Sequence, residues 1–209
     1  MEIKKEFYYY YMKINQEAFI EGTFIGESKN RFIGKVKIND VICECYISSS
    51  SRLERFINLK NKRVLLTENT SKGILTKYSL FGMYYRGKLI ILNLNIVNRL
   101  FKEIGSSGQY EEYAGFNTVI VEGIHEGYKA DIHLGGAEKL IVENKAVVDV
   151  HKAAIFPSVY SARAIEQLKR LHSLLNKGNK VNYNFIALSP YIDTVSVNAY
   201  ATEYYKAFI

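Results

Sequence analysis

From Gly34 to Ile38, apolar and polar residues alternate with a period of two, the mark of a half-buried strand. Asn39-Asp40 supplies turn chemistry, and Val41 to Ile47 reads as the returning strand of a hairpin. Ala18 to Gly26 mixes apolar and polar positions as a preceding strand. Beyond a polar loop at Ser48 to Ser51, Arg52 to Leu59 fits one or two helical turns, and Lys62 to Thr67 another strand. A loop at residues 69–73 leads to Tyr78 to Tyr85 and Lys88 to Leu94, a further hairpin across Arg86-Gly87. Many short strands with little helix predict a small barrel of the OB type.

The pattern changes at Ile96. Val97, Leu100, Phe101 and Ile104 are spaced as one helical face, and Gly105 is expected to end it. Three strands are predicted next: Thr118 to Ile124, Tyr128 to Leu134 and Lys139 to Glu143, with Gly135-Gly136 in the turn between the last two. A helix then starts near Ser158 and turns Ile165, Leu168, Leu171, Leu174 and Leu175 inward, with Gly178 as its C′ residue. Val181 to Leu188 and Thr194 to Tyr200 return to strand. This order predicts a mixed sheet flanked by helices. The fold class is therefore α+β: an N-terminal OB-fold-like β-barrel domain at residues 1–88 and a mixed-sheet α/β domain at 89–209.

Composition narrows the classes. Apolar residues make up 48% of the chain and aromatics 13%, which argues against disorder. Two cysteines, Cys43 and Cys45, build neither a disulfide scaffold nor a four-ligand zinc site; on a strand they point the same way, as half-buried thiols. The first residues lack the apolar stretch of a signal peptide, and no run approaches the ~18 apolar residues of a membrane helix. No membrane partner and a cytoplasmic address are expected.

Charge separates the two halves. Residues 1–90 hold 16 Lys/Arg against 9 Asp/Glu, whereas residues 91–209 hold 12 of each. A basic unit attracts a polyanion, of which nucleic acid is the commonest in the cytoplasm; surplus lysine on a solvated surface has the same composition. Arg31, Lys35 and Lys37 on the first hairpin are the candidates for phosphate contacts, Lys35 and Lys37 sharing a strand face. The Tyr8–Tyr11 run either stacks on bases or covers a groove of the barrel.

The neutral half carries the candidate chemistry. Asp131 and Glu143 lie on strands that would pair across the Gly135-Gly136 turn, and Lys145 shares the face of Glu143. Two carboxylates that close repel one another unless a cation lies between them. Oxygen ligands with open positions suit Mg2+ or Mn2+, which polarise a phosphodiester and activate water. A neighbouring lysine orients that water or stabilises the phosphorane. An ordinary strand-end salt bridge accounts for the same residues, because Glu-x-Lys recurs at Glu2 to Lys4 and Glu27 to Lys29. His133 shares the strand face of Asp131, as a further ligand or as a packing residue.

The residues together resemble the sugar fermentation stimulation protein A (SfsA) family. The resemblance rests on Ala130-Asp131, Val142-Glu143-Asn144-Lys145, Ile155-Phe156-Pro157, Arg163 and Gln167-Leu168. It extends upstream to Asn98-Arg99-Leu100 with Glu103, to Ala114-Gly115-Phe116, and to Gly22-Thr23-Phe24 with Asn30-Arg31-Phe32. Departures occur at Cys45 to Ser49, where the family has Cys-x-Asn-Thr-Gly, and at Ala146, Ser158 and Ser161. The resemblance implies an OB-fold domain followed by a domain similar to PD-(D/E)xK nucleases, and DNA as the partner. It implies catalytic positions at Asp131, Glu143, Lys145 and the acidic Glu103, with the metal on Asp131 and Glu143, and an arginine for DNA at Arg163. The expected function is a DNA-binding protein with a Mg2+- or Mn2+-dependent endonuclease site. The alternatives are a non-cleaving DNA-binding regulator and an RNA-processing enzyme. No small-molecule cofactor is expected, and homodimerisation is left open.

Overall fold

The structure, a computed structural model, describes residues 19–49, 52–69, 75–106, 113, 115–136 and 138–209. The Tyr8–Tyr11 run and the first Glu-x-Lys lie outside the described residues, as do 50–51 and 70–74.

The first part is a closed five-stranded barrel. Its strands are β1 (Ile20–Glu27), β2 (Ile33–Ile38), β3 (Val41–Tyr46), β4 (Arg63–Glu68) and β5 (Tyr78–Tyr85), with β6 (Lys88–Ile91) appended to β5. Antiparallel pairing runs β3-β2-β1-β4-β5-β6, and a short parallel contact of β3 with β5 closes the ring. The inward-facing residues, among them Phe24, Val36, Cys45, Leu66 and Met83, fill its interior. The two predicted hairpins are present. Asn39, Asp40, Arg86 and Gly87 take the positive φ values that a two-residue hairpin turn demands. Both cysteines are free and share a face; burial pushes the Cys45 thiol up to about 12. The helical segment after the barrel's polar loop is one 3-10 turn, Leu53–Arg55.

A bulge joins the barrel to the rest. Leu65 pairs with Gly82 and Leu66 with Leu80, so Phe81 has no partner on β4. Its carbonyl instead accepts from the amides of Leu92 and Asn93, at 2.8 and 3.1 Å. This pins the passage from β6 into helix α1 (Ile96–Ser106). The first sheet thus runs on to Ile91, past the division expected at residue 88. Gly105, expected to stop α1, lies inside it.

The second sheet has the order β13-β11-β10-β7: β7 (Phe116–Val121), β10 (Ile132–Gly136), β11 (Lys139–Val147) and β13 (Lys180–Ala187). β10 is antiparallel to both β7 and β11, while β11 and β13 run parallel over eight residue pairs. The strand expected from Thr118 to Ile124 breaks at Glu122, which has positive φ, and Gly123. The chain resumes as a small hairpin of β8 (Ile124–His125) and β9 (Tyr128–Lys129). Gly135 and Gly136 lie in β10, where Gly136 presses on the Gly115 carbonyl with no room for a Cβ. β12 (Ala153–Phe156) and β14 (Thr194–Val197) form a separate parallel pair.

Helix α2 (Ala162–Asn176) starts at Ser161, whose hydroxyl caps the Ala164 amide. It packs Leu171 and Leu174 on Ile141, and Ile165 and Leu168 near Tyr204 of helix α3 (Thr202–Phe208). Gly178 has φ +86° as the C′ residue. Leu175, expected inside, is 52% exposed, because it sits about 100° round the helix from Leu174. One apolar cluster unites both parts: Leu65, Phe81 and Ile91 of the barrel side with Leu100 and Phe101 of α1 and Ile132 and Val142 of the second sheet.

Gly82 leaves no space for a side chain: a Cβ there would lie 2.5 Å from the Ile90 carbonyl oxygen. Gly82→Ala is expected to lower unfolding stability by about 1–3 kcal/mol, read from urea denaturation of the full chain.

Candidate functional site

Pairing register brings the two acids together. Ile132 is opposite Val142, so one step along the ladder sets Asp131 opposite Glu143. Opposed positions share a face. Glu143 is not at a strand end, as expected from the pattern; it lies mid-strand, because β13 pairs with β11 as far as Val147. The Glu143 side chain is 1% exposed and that of Lys145 14%. Both open onto a cavity of about 380 Å³ together with Asp131 and Arg163. Its wall draws on the barrel side (Ser48, Ser49, Phe56), on the end of β12 with the residues after it to Val159, and on α2.

The charges in this cavity are organised by hydrogen bonds. Glu143 Oε1 accepts from Lys145 Nζ at 2.5 Å and from Gln167 Nε2 at 2.7 Å; Oε2 accepts from the Tyr128 hydroxyl at 2.7 Å. Burial, and after it the carboxylate of Glu143, holds Tyr128 well above the usual tyrosine range, so it stays a donor. Lys145 Nζ also donates to Gln167 Oε1 at 2.8 Å and lies 5.6 Å from the Tyr183 ring centre. Asp131 accepts from the Asn144 amide at 2.8 Å and from Asn98 Nδ2 of α1 at 3.0 Å. Both acids are thus fixed from several elements, and the cavity presents carboxylate oxygens beside one ammonium.

The other expected residues are placed differently. Glu103 is exposed and does not line the cavity. Five residues after Asn98, it is turned about 140° round α1 from the face that meets Asp131. His133 bonds the Gly123 carbonyl at 2.8 Å and is a packing residue outside the cavity. Arg163, exposed on the first turn of α2, lines the cavity and has no carboxylate partner among the described residues. On the barrel, Lys35 and Lys37 point outward from β2, and Lys37 pairs with Asp40 at 3.0 Å. Arg31 lies instead in a second depression with Lys29, Arg52 and Arg55.

Pattern reading missed Tyr128, which looked like an apolar strand position, and Glu122 on the cavity rim. Glu122 is hydrogen-bonded to Lys129, and that bond holds its carboxyl below the usual range. Asn98 and Gln167 were visible only through the family resemblance. The positive charges of Lys29, Arg52 and Arg55 were visible, but their meeting place depends on the fold.

Comparison with known proteins agrees with this architecture. The profile of the sugar fermentation stimulation protein RE domain matches residues 95–209. A sugar fermentation stimulation protein homolog of Caldanaerobacter subterraneus subsp. tengcongensis is 30% identical over 175 residues, covering 83% of this chain and 76% of that protein. One from Desulforamulus reducens is 28% identical over 169 residues, covering 80% and 70%. Among solved structures, Pyrococcus furiosus SfsA in complex with Ca2+ superposes with a TM-score of 0.79 at 22% identity, covering 91% of this chain and 85% of that one. That likeness extends the shared fold to the barrel. The chain belongs to the sugar fermentation stimulation protein (SfsA) family.

Proposed function

We propose that the protein binds DNA and hydrolyses a phosphodiester bond, with Asp131 and Glu143 holding Mg2+ or Mn2+. The observation that carries this reading is the meeting of Asp131, Glu143, Lys145 and Arg163 in one cavity. The donor set fits such an ion. Carboxylates are hard oxygen ligands, and Mg2+ is commonly held by one or two of them with water completing its shell. Among the described residues no third Asp, Glu, His or Cys joins these two as a metal-holding group, so water would have to complete the shell of such an ion. The Ca2+ in the Pyrococcus furiosus protein is a hard cation of the same ligand class.

When bound, the ion supplies polarisation of the phosphodiester and activation of water. In the reaction a water oxygen bonds to phosphorus, the bond from phosphorus to the leaving oxygen breaks, and that oxygen takes up a proton. Lys145, tethered by Glu143 and Gln167, places positive charge where the phosphate gains negative charge. Arg163 offers a planar donor fork to the non-bridging oxygens. Tyr128 and Gln167 fix the orientation of Glu143.

A non-cleaving DNA-binding protein is the second reading. One observation favours it: Glu143 already has an ammonium, an amide and a hydroxyl on its two oxygens. Such a protein would bind DNA equally well with and without EDTA and cut none.

Plasmid nicking in Mg2+ or Mn2+ tests the first reading. Asp131→Asn and Lys145→Met should each cut about 10²–10³-fold more slowly than the wild type; equal rates from all three would remove both residues from the mechanism. Lys145→Met also leaves Glu143 buried without its cation. Stability should fall by about 3 kcal/mol. Added Mn2+ should raise the melting temperature of Lys145→Met more than that of the wild type, and should not raise that of Asp131→Asn.

A further inference from the structure

A second depression lies next to the cavity, lined by Lys29, Arg31, Phe32, Arg52, Arg55 and Tyr160. The two hollows are adjacent along the chain at two places. Phe56 and Val159 line the cavity, while their neighbours Arg55 and Tyr160 line the cleft. The acid–lysine cavity and the cationic cleft are thus joined by consecutive residues at 55–56 and 159–160.

The cleft is built in advance of any ligand. Arg52 donates to the Ser28 and Lys29 carbonyls at 3.0 and 2.9 Å and so fixes the β1–β2 loop. Asn30 closes the same loop, accepting from the Phe32 amide with its side chain and from the Ser28 hydroxyl with its carbonyl. Beneath it, the fully buried carboxylate of Glu27 accepts from the Leu53 amide at 2.8 Å. Its other oxygen has no hydrogen-bond partner among the described residues and lies 3.9 Å from Arg52 Nη1. Glu27 therefore offsets part of the Arg52 charge; Glu54, which accepts from the Glu27 amide, and Glu203, which accepts from the Tyr160 hydroxyl at 3.4 Å, are further acids nearby. Lys29, Arg31 and Arg55 have no carboxylate partner among the described residues, so the cleft keeps a positive excess. Aromatic surface adjoins it: Tyr160 is 72% exposed, and the Arg31 guanidinium lies 4.7 Å from the Phe32 ring centre.

We infer that this cleft, rather than the outer face of β2, holds backbone phosphates of the single DNA strand whose linkage occupies the cavity, with Tyr160 as a stacking surface for an unpaired base. The inference rests on the reading of the cavity as a DNA site. Cations without carboxylate partners bind phosphates by releasing counterions. An exposed ring beside them favours unstacked bases over a closed duplex.

The test is fluorescence anisotropy of the full chain in EDTA, with a labelled single DNA strand, its duplex and the matched RNA strand, between about 50 and 200 mM salt. Arg31→Gln with Arg55→Gln should weaken single-strand binding by roughly 25-fold near 0.1 M salt and make the slope of log K against log salt about 1.4 shallower. Lys35→Gln with Lys37→Gln should change binding by no more than about twofold, because Lys37 is already paired with Asp40. Tyr160→Ala should cost fivefold or more, on the order of one stacked base, on the single strand and leave the duplex unaffected. All these side chains are exposed, and unchanged melting curves would show that each variant is folded.

If the β2 pair weakens binding and the cleft pair does not, the cleft assignment falls while the DNA reading stands. A wild type that binds no strand at any salt overturns both. AMP or inorganic phosphate binding that depends on Arg31 and Arg55, with DNA affinity unchanged in their variant, would make the cleft a small-anion site instead. Tighter binding of the RNA strand would overturn DNA as the occupant.

Discussion

A carboxylate in the middle of a sheet strand, 1% exposed, needs its charge answered by nearby groups, and at Glu143 three elements do so. Lys145 answers from the same strand, Gln167 from α2 and Tyr128 from the β8–β9 hairpin. Each constrains its element. Helix α2 lies at the depth that brings Gln167 to both Glu143 and Lys145, and the small hairpin returns so that the Tyr128 hydroxyl meets the other oxygen. The apolar contacts agree with this placement: Tyr128, Ala130 and Ile141 pack with Leu171 and Leu174 in one cluster. A buried pair of this kind adds little net stability, because desolvation of both charges offsets much of their attraction.

The barrel is part of the same geometry. Phe81 leaves the β4 ladder as a bulge, turns its ring into the cluster shared with α1 and the second sheet, and uses its carbonyl to hold Leu92 and Asn93. From there the Ile91 amide donates to the Leu188 carbonyl and the Leu188 amide to Val147 at the end of β11. A continuous backbone connection therefore runs from the barrel to the strand that carries Glu143 and Lys145. Ser48 belongs to the same junction, donating to Asn93 and accepting from the Leu94 amide. The position of the cationic cleft relative to the cavity is set by this junction.

Much of this was readable in the residues. Period two and turn chemistry gave the barrel hairpins, because both are local rules, and the spacing of Asp131 and Glu143 about a glycine pair gave their opposition across two strands. Where a long-range partner decides the outcome, the pattern misleads. β11 runs beyond Glu143 because parallel β13 offers it bonds as far as Val147. The strand expected through Ile124 stops where Glu122 takes a positive φ, and Gly123 beside it admits the His133 ring, which a Cβ would meet at 2.6 Å. Glu103 carries a family motif position, yet helical geometry turns it away from the cavity. Tyr128 gave no signal, since its role depends on a carboxylate fifteen residues away.

The excess of positive charge can likewise be located only through the fold. Residues 19–90 hold 13 Lys/Arg and 6 Asp/Glu. Four of those acids, Glu21, Glu27, Asp40 and Glu68, face Arg63, Arg52, Lys37 and Lys77. Arg86 and Lys88 lie over the rings of Tyr85 and Tyr191. Among the cations that remain, Lys29, Arg31 and Arg55 share one hollow, beside the guanidinium that pins its loop. A phosphate backbone responds to local field rather than to net charge, and that field is strongest where several unneutralised cations converge on a concave surface. Consecutive residues at 55–56 and 159–160 thus connect the hollow that holds these cations with the cavity that holds the carboxylates. On the proposed reading, cations of the cleft would hold the phosphates on either side of the linkage that reaches the half-buried Asp131 and the buried Glu143.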